Sequence, residues 1–161
     1  MMPAAKDLLG LKHSPELHGN YPRWSGKEQH RFQMLPIDGV RTGLINIDAE
    51  RQTSESEMRE IIAYFLPDAA LYQVHEGYED RYRRGDPLCH NFALGVARFG
   101  QVALLRAQED SVSHRIAERI ERQMERRFFR HPDARLYART KRIVDEGIPL
   151  CDIIAQFPAM P

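Results

Sequence analysis

The sequence predicts an α+β fold in which a small antiparallel sheet packs against a few helices, one of them long, amphipathic and rich in arginine. Three observations predict this class. An Asp-Gly pair stands between two strand-like segments, a capping box precedes an apolar helical stripe, and a later run of sixteen residues holds six arginines and three glutamates at helical spacing. The first observation supplies a sheet, and the other two supply helices.

The length and composition fit one folded domain. The chain has 161 residues, of which 42% are hydrophobic, and this is enough to bury an ordinary core. Its beginning is punctuated by residues that interrupt helices, namely Pro3, Gly10, Pro15, Gly19, Pro22 and Gly26. We therefore expect a single domain over residues 1–161, with an irregular arm over residues 1–28 and a globular body over residues 29–161.

The first regular elements are predicted to be a hairpin and a helix. HRFQMLPI and VRTGLINID flank Asp38 and Gly39, a pair that favours a two-residue hairpin turn. SESEMREIIAYFL follows, with Ser54 and Glu57 at capping-box spacing and an apolar stripe at helical intervals. Pro67 is expected to end that helix, because proline lacks the backbone N–H that a helix interior needs.

The middle of the chain has a weaker pattern. ALYQVH, residues 70–75, resembles a strand, and the charged segment GYEDRYRRGDP, residues 77–87, resembles a loop. NFALGVAR and QVALLRAQ, on either side of Phe99 and Gly100, fit two strands or one broken helix. The glycines and the valine and leucine content favour strands.

The last third is predicted to be mainly helical. A long helix begins after Asp110, with Ser111 or Ser113 as its N-cap, and continues for about five turns toward Pro132. Residues 134–157 fit either helices or strands. A stripe at helical spacing that ends before a glycine favours helix there.

The arginine-rich helix over residues 113–130 is expected to have two opposite faces. A helical projection places a core-facing stripe on one side, made of Ile116, Ala117, Ile120, Met124 and Phe128. Nearly opposite, five arginines fall within an arc of about 80°. They are Arg115, Arg119, Arg122, Arg126 and Arg130. Phe129 projects close to this arc, and glutamates line one flank of it.

The charge distribution suggests two roles for that face. The net charge is zero, yet residues 111–142 hold ten basic and four acidic residues, and residues 48–80 hold nine acids and two arginines. The two segments can pair within the chain or between copies in a homo-oligomer. Alternatively, the arginines hold an acidic protein surface or nucleic acid, because guanidinium groups suit carboxylates and phosphates. We expect a non-catalytic binding, assembly or regulatory module that uses residues 113–130.

Few features point to chemistry or to a membrane. Two cysteines, no secretory leader pattern and no apolar run of bilayer length favour a cytoplasmic protein without a membrane partner. Cys89 near a helix start and His75 form a candidate nucleophile and base, although a buried structural cysteine is the commoner case. His13, Glu16 and His18 lack a zinc-type spacing, so no metal or cofactor is expected.

A resemblance supports an alternative function. SPELHGNYP at residues 14–22, GDP at residues 85–87 and ARFG at residues 97–100 are similar to segments of the toxin-activating lysine acyltransferases, which have an N-acetyltransferase-like fold. The resemblance implies acyl transfer with His18 as the catalytic base. Strands over residues 134–157 would favour that fold.

Overall fold

A computed structural model of the chain describes residues 1–21, 30–48 and 54–157. The predicted α+β class is confirmed, since small sheets pack against several helices. The helices are α1 (Met2–Leu9), α2 (Glu55–Val74), α3 (Tyr78–Arg83), α4 (Pro87–Arg106), α5 (Ser111–Arg127), α6 (Pro132–Asp145) and α7 (Leu150–Ala155). The strands are β1 (Glu16–Tyr21), β2 (His30–Gln33), β3 (Pro36–Ile37), β4 (Val40–Arg41) and β5 (Leu44–Asp48).

The predicted hairpin is confirmed, but the sheet is mixed. β2 and β3 pair antiparallel with β5 and β4 respectively, around the turn at Asp38 and Gly39. Both turn residues have positive φ, 51° and 78°, as a two-residue hairpin turn of this kind requires. β1 joins the other edge of β5 in parallel, so the three-stranded sheet is mixed, while its hairpin pairing is antiparallel as expected.

The irregular arm expected over residues 1–28 is wrong for its described part. α1 buries Ala5 and Leu9 completely in the core, and β1 is hydrogen-bonded to β5. Pro3 lies in the first turn of α1, where proline is tolerated, and Gly10 ends the helix with φ 67°. These residues therefore mark the ends of a helix and do not prevent it. Residues 22–28 lie outside the described residues.

α2 begins as predicted and continues farther. The capping box is present, with the Ser54 hydroxyl accepting from the Glu57 N–H at 3.2 Å and the Glu57 carboxylate accepting from the Ser54 N–H at 2.9 Å. The helix runs through Pro67 to Val74, so the predicted stop and the strand at residues 70–75 are wrong. Residues beyond the proline, including Ala69, Ala70 and Leu71, are fully buried. Tertiary packing therefore outweighs the local cost of the proline.

α4 is the central helix, and it replaces the two strands favoured by composition. Its glycines allow close helix packing: a Cβ on Gly100 would lie 2.7 Å from Pro67 Cγ, and one on Gly95 would lie 2.9 Å from Thr140 Oγ1. α2 and α6 therefore approach α4 at these two points. Most of the segment at residues 77–87, predicted as a loop, forms α3.

α4 is also the one helix of the described residues that is long and apolar enough to cross a bilayer. However, 56% of its most apolar window is buried inside the protein. The central helix of a folded core has the same properties, because its neighbours cover it on several sides.

The helical interpretation of residues 134–157 is confirmed. α6 ends before Gly147, whose φ is 99°, and α7 buries Leu150, Ile153 and Ile154 in the core. The core therefore extends from α1 to α7, and its largest fully buried side chains include Tyr72, Tyr78 and Leu104.

Candidate functional site

α5 buries the apolar stripe that its spacing indicates. Ile116, Ala117, Ile120 and Met124 are at most 5% exposed, and Asp110 caps the helix by accepting from the Ser113 N–H at 2.9 Å. Asp110 is therefore the N-cap, and the expectation of Ser111 or Ser113 is wrong. The helix ends at Arg127. Phe128 is 40% exposed, so its assignment to the core stripe is wrong.

The N-terminal end of α5 is tied to α2. Asp110 Oδ2 lies 2.7 Å from Arg59 Nη1 and also accepts from the Ser113 hydroxyl at 2.8 Å. The hydrogen bonds from Ser113, together with the Arg59 charge, lower the pKa of Asp110 to about 2. The N-terminal end of α5 is therefore fixed by contacts within the chain.

The arginines of the predicted face fall into two groups, and the first has partners on this chain. Arg119 forms an ion pair with Glu60 of α2. Arg115 donates to the Ser111 hydroxyl at 3.4 Å, and Arg122 lies 3.6 Å from the Glu118 carboxylate. One arginine of the predicted face, Arg119, therefore forms an ion pair with the acidic segment at residues 48–80. The other two, Arg115 and Arg122, contact neighbouring residues of α5.

The second group lies at the C-terminal end of α5. Arg126, Arg127 and Arg130 are exposed, and among the described residues their side chains have no ion-pair or hydrogen-bond partner. Phe129 stands next to them and is 90% exposed, with its ring in edge contact with Phe128 at 5.2 Å between centroids. We call these four residues, Arg126, Arg127, Phe129 and Arg130, the arginine end.

An open groove of about 520 Å³ runs between α5 and α6 beside the arginine end. Its apolar lining consists of Met124, Phe128, Phe129, Ala134, Tyr137 and Ala138. The Tyr137 hydroxyl is buried and has no hydrogen-bond partner in the described part of the chain. Burial, and then the negative charge of Glu121, raise the pKa of Tyr137 to about 12. Tyr137 is therefore a hydrogen-bond donor across the physiological pH range.

Charged residues edge this groove. Glu121 pairs with Arg106, and Lys141 lies 2.5 Å from Asp145. Within the described residues, the Glu125 carboxylate has no partner. The groove thus combines apolar walls, a buried donor and charges of both signs, while the arginine end is positive only.

His18 lies elsewhere, on β1. Its Nε2 is 3.5 Å from Glu16 Oε2, and both side chains are about half exposed. His18 does not line the groove between α5 and α6. Of the other segments that carry the acyltransferase resemblance, residues 97–100 lie inside α4, and residues 85–87 form the turn where Asp86 caps that helix. The helices over residues 132–155 also remove the strands that would favour the transferase fold.

The other candidates for chemistry are structural. Cys89 is completely buried near the start of α4, and this burial raises its pKa to about 11, so it is a thiol and not a thiolate. His75 Nε2 lies 2.6 Å from the Ile154 carbonyl oxygen. Both observations count against the pairing of Cys89 as nucleophile with His75 as base. No group of three or more potential metal ligands converges among the described residues.

Two features were missed from the sequence. One is the groove, which is lined by residues of both α5 and α6. It could be expected only if both segments were predicted to be helices that pack together. Asp68 is the other: it lies in α2 between buried residues, and burial raises its pKa to about 7. The signal that could have identified it is a charged residue inside an apolar helical stripe. Comparison of the chain with protein-family models, with curated proteins and with solved structures finds no match.

Proposed function

We propose that the protein is a binding module that holds an acidic, amphipathic helix of a partner protein in the groove between α5 and α6. The observation that carries the proposal is the arginine end: three exposed arginines without a partner in the described chain, and Phe129 among them at 90% exposure. An unpaired cluster of one sign beside an apolar groove suits an occupant that brings both carboxylates and apolar side chains.

The shape and lining of the groove favour a helix as the occupant. Two helices form its walls, and its apolar side chains come from both. An amphipathic helix fills such a groove with residues at i, i+3, i+4 and i+7. Phe128 and Phe129 then lose exposure to water, which at about 25 cal/mol per Å² is the main favourable contribution.

Tyr137 adds a specific polar contact. A buried hydroxyl without a partner costs about 1–3 kcal/mol. The hydroxyl is covered by neighbouring side chains, so a small side-chain movement on binding is needed before a carbonyl or carboxylate oxygen of the partner helix accepts from Tyr137 Oη and recovers this free energy.

The charges favour a protein partner over nucleic acid. Glu121, Glu125 and Asp145 line the groove beside the arginine end. A phosphate backbone brings negative charge along its whole length and is repelled by these carboxylates. A helix with acidic residues on one edge places its charges against the arginines alone.

The test uses a labelled helical peptide with leucines along one stripe and glutamates along one edge. Fluorescence anisotropy measures its affinity for the full chain and for the triple variant Arg126→Gln, Arg127→Gln, Arg130→Gln, which removes the three charges of the arginine end. Loss of three charges from this face should weaken binding by about tenfold or more, which is about 1.4 kcal/mol. Replacing the glutamates of the peptide by glutamine should weaken it similarly.

The matched control is the variant Lys6→Gln, Lys12→Gln, Arg84→Gln. It removes the same charge from exposed residues outside α5, and its affinity should stay within about twofold of the original. Equal weakening in both variants means that net charge alone drives binding, and contradicts the proposal. So does a labelled duplex DNA that binds more tightly than the peptide. Light scattering on the same samples tests whether a second copy of the chain occupies the groove. A dimer that forms through the groove would also contradict the proposal.

A further inference from the structure

A separate cavity lies where α2 and α3 pack against α4. Its volume is about 170 Å³, enough for a few non-hydrogen atoms. The polar residues that line it are Tyr64, Asp68, Tyr82, His90 and Asn91, and Leu94 contributes an apolar wall. None of them lines the groove between α5 and α6.

Asp68 is the charged group of this cavity. Its Oδ1 accepts from the Tyr78 hydroxyl at 3.2 Å, which is its one hydrogen bond among the described residues. No Lys or Arg of the described chain forms an ion pair with it. Burial raises its pKa from 3.8 to about 7. A carboxylate held without a cation costs stability, and a positive ligand would remove that cost.

Other oxygen atoms in the cavity lack partners. The phenol groups of Tyr64 and Tyr82 and the side-chain amide of Asn91 make no hydrogen bond within the described residues. Contacts between α3 and α4 position one wall of the cavity. The centroids of the stacked Tyr82 and His90 rings are 4.2 Å apart, and His90 Nε2 lies 2.7 Å from the Tyr82 carbonyl oxygen. One carboxylate and three other oxygen-bearing side chains therefore line a small, preformed space.

We propose that this cavity binds a small organic ammonium ion. The ammonium group forms an ion pair with the Asp68 carboxylate, and its N–H groups donate to the phenol and amide oxygens. A primary ammonium group has three donors, which matches this set of acceptors. The aromatic side chains add attraction for a cation. An anion is disfavoured because it would meet the Asp68 carboxylate.

The test compares two probes of the same size, n-butylammonium and 1-butanol. Each is titrated into the full ¹⁵N-labelled chain at pH 8, where Asp68 is mainly ionised. Butylammonium should shift the amide signals of residues around Asp68 and Asn91, and butanol should bind at least about tenfold more weakly. Signals of the arginine end should not move.

Asp68→Asn is the decisive variant, because an amide oxygen still accepts from Tyr78 while the charge is lost. It should weaken butylammonium binding about tenfold or more, whereas Asp7→Asn, at an exposed position of α1, should leave it unchanged. Asn91→Leu, at the exposed rim, provides a second variant and should weaken binding several-fold by removing an acceptor. Circular dichroism verifies that each variant is folded.

Three results overturn the inference. They are the absence of shifts at these residues with butylammonium, equal affinity for butanol, and unchanged affinity in Asp68→Asn. If Asp68→Asn does not fold, the comparison of the two probes on the unaltered chain decides, because it needs no substitution.

Discussion

Asp68 and Tyr137 are polar side chains that packing has left with fewer partners than their chemistry allows. Tyr137 has a buried hydroxyl without an acceptor in the described chain, and Asp68 has one donor and no cation. Such groups reduce stability, and they commonly occur where a protein binds something. Each of them lines one of the two cavities on which the proposals rest.

We predict that Asp68 makes the stability of the protein fall as pH rises. Its folded pKa of about 7 lies above the ordinary value of 3.8, so the unfolded chain releases this proton first. The contribution is fully present below pH 4 and is lost as pH rises through 7. Because Asp68 is only partly buried, the loss should be on the order of 1–3 kcal/mol.

Urea unfolding at pH 5 and pH 8 measures this dependence. Asp68→Asn should be less sensitive to pH over this interval than the unaltered chain, and more stable than it at pH 8. Asp7→Asn, at an exposed position on α1, is the control and should keep the original dependence. An Asp68→Asn variant with the same pH profile as the original would show that Asp68 ionises normally in the folded protein.

At the scale of elements, α4 organises the helical body by allowing close approach. α2 crosses it at Gly100 and α6 crosses it at Gly95, and in both places a methyl group would overlap a neighbour. Pro67 belongs to the same contact, because its ring occupies the space that Gly100 leaves open. A proline and a glycine, each unfavourable within a helix, are here complementary parts of one interface.

We predict that Gly100→Ala destabilises the protein despite its better helix propensity. The new Cβ would lie 2.7 Å from Pro67 Cγ, so α2 must shift. Overpacking of this kind costs about 1–3 kcal/mol, against a gain of about 1 kcal/mol from propensity. Thermal unfolding measures the difference.

Gly77→Ala is the matched control for this prediction. Gly77 has φ −83°, and no atom lies within 4 Å of its added Cβ, so the change should be neutral or slightly stabilising. A Gly100→Ala variant as stable as the control would mean that the contact between α2 and α4 is looser than described.

At the scale of the whole molecule, opposite charges are separated along the sequence and partly rejoined by the fold. Glu60 of α2 pairs with Arg119 of α5, and Asp110 pairs with Arg59. The arginine end lies beyond these contacts. One part of the basic helix therefore holds α5 on α2, and the other part is exposed without an ion-pair partner among the described residues.

We predict that the pair Glu60 and Arg119 acts within one chain. Glu60→Arg and Arg119→Glu should each lower stability, and the double exchange should restore most of the loss. Both side chains are partly exposed, so the coupling should be at most about 1 kcal/mol. Urea unfolding of the four proteins measures it, with light scattering as the control. A change of molecular mass in the single variants would instead assign the pair to contacts between copies.

Features that depend on neighbouring residues could be predicted from the local sequence. The turn at Asp38 and Gly39 and the capping box of Ser54 and Glu57 form as their local pattern predicts. The buried stripe of α5 also follows its spacing, except at Phe128. Each of these depends on hydrogen bonds or a helical repeat within a few residues, so local chemistry is sufficient.

Features that join distant segments depend on tertiary packing and could not be predicted in this way. Pro67 lies inside a helix because Gly100 accommodates it, and α1 is ordered because Ala5 and Leu9 are buried against the core. The groove beside the arginine end and the cavity around Asp68 likewise combine side chains of different elements. The free energy of burial depends on which surfaces meet, and local propensity carries no information about that.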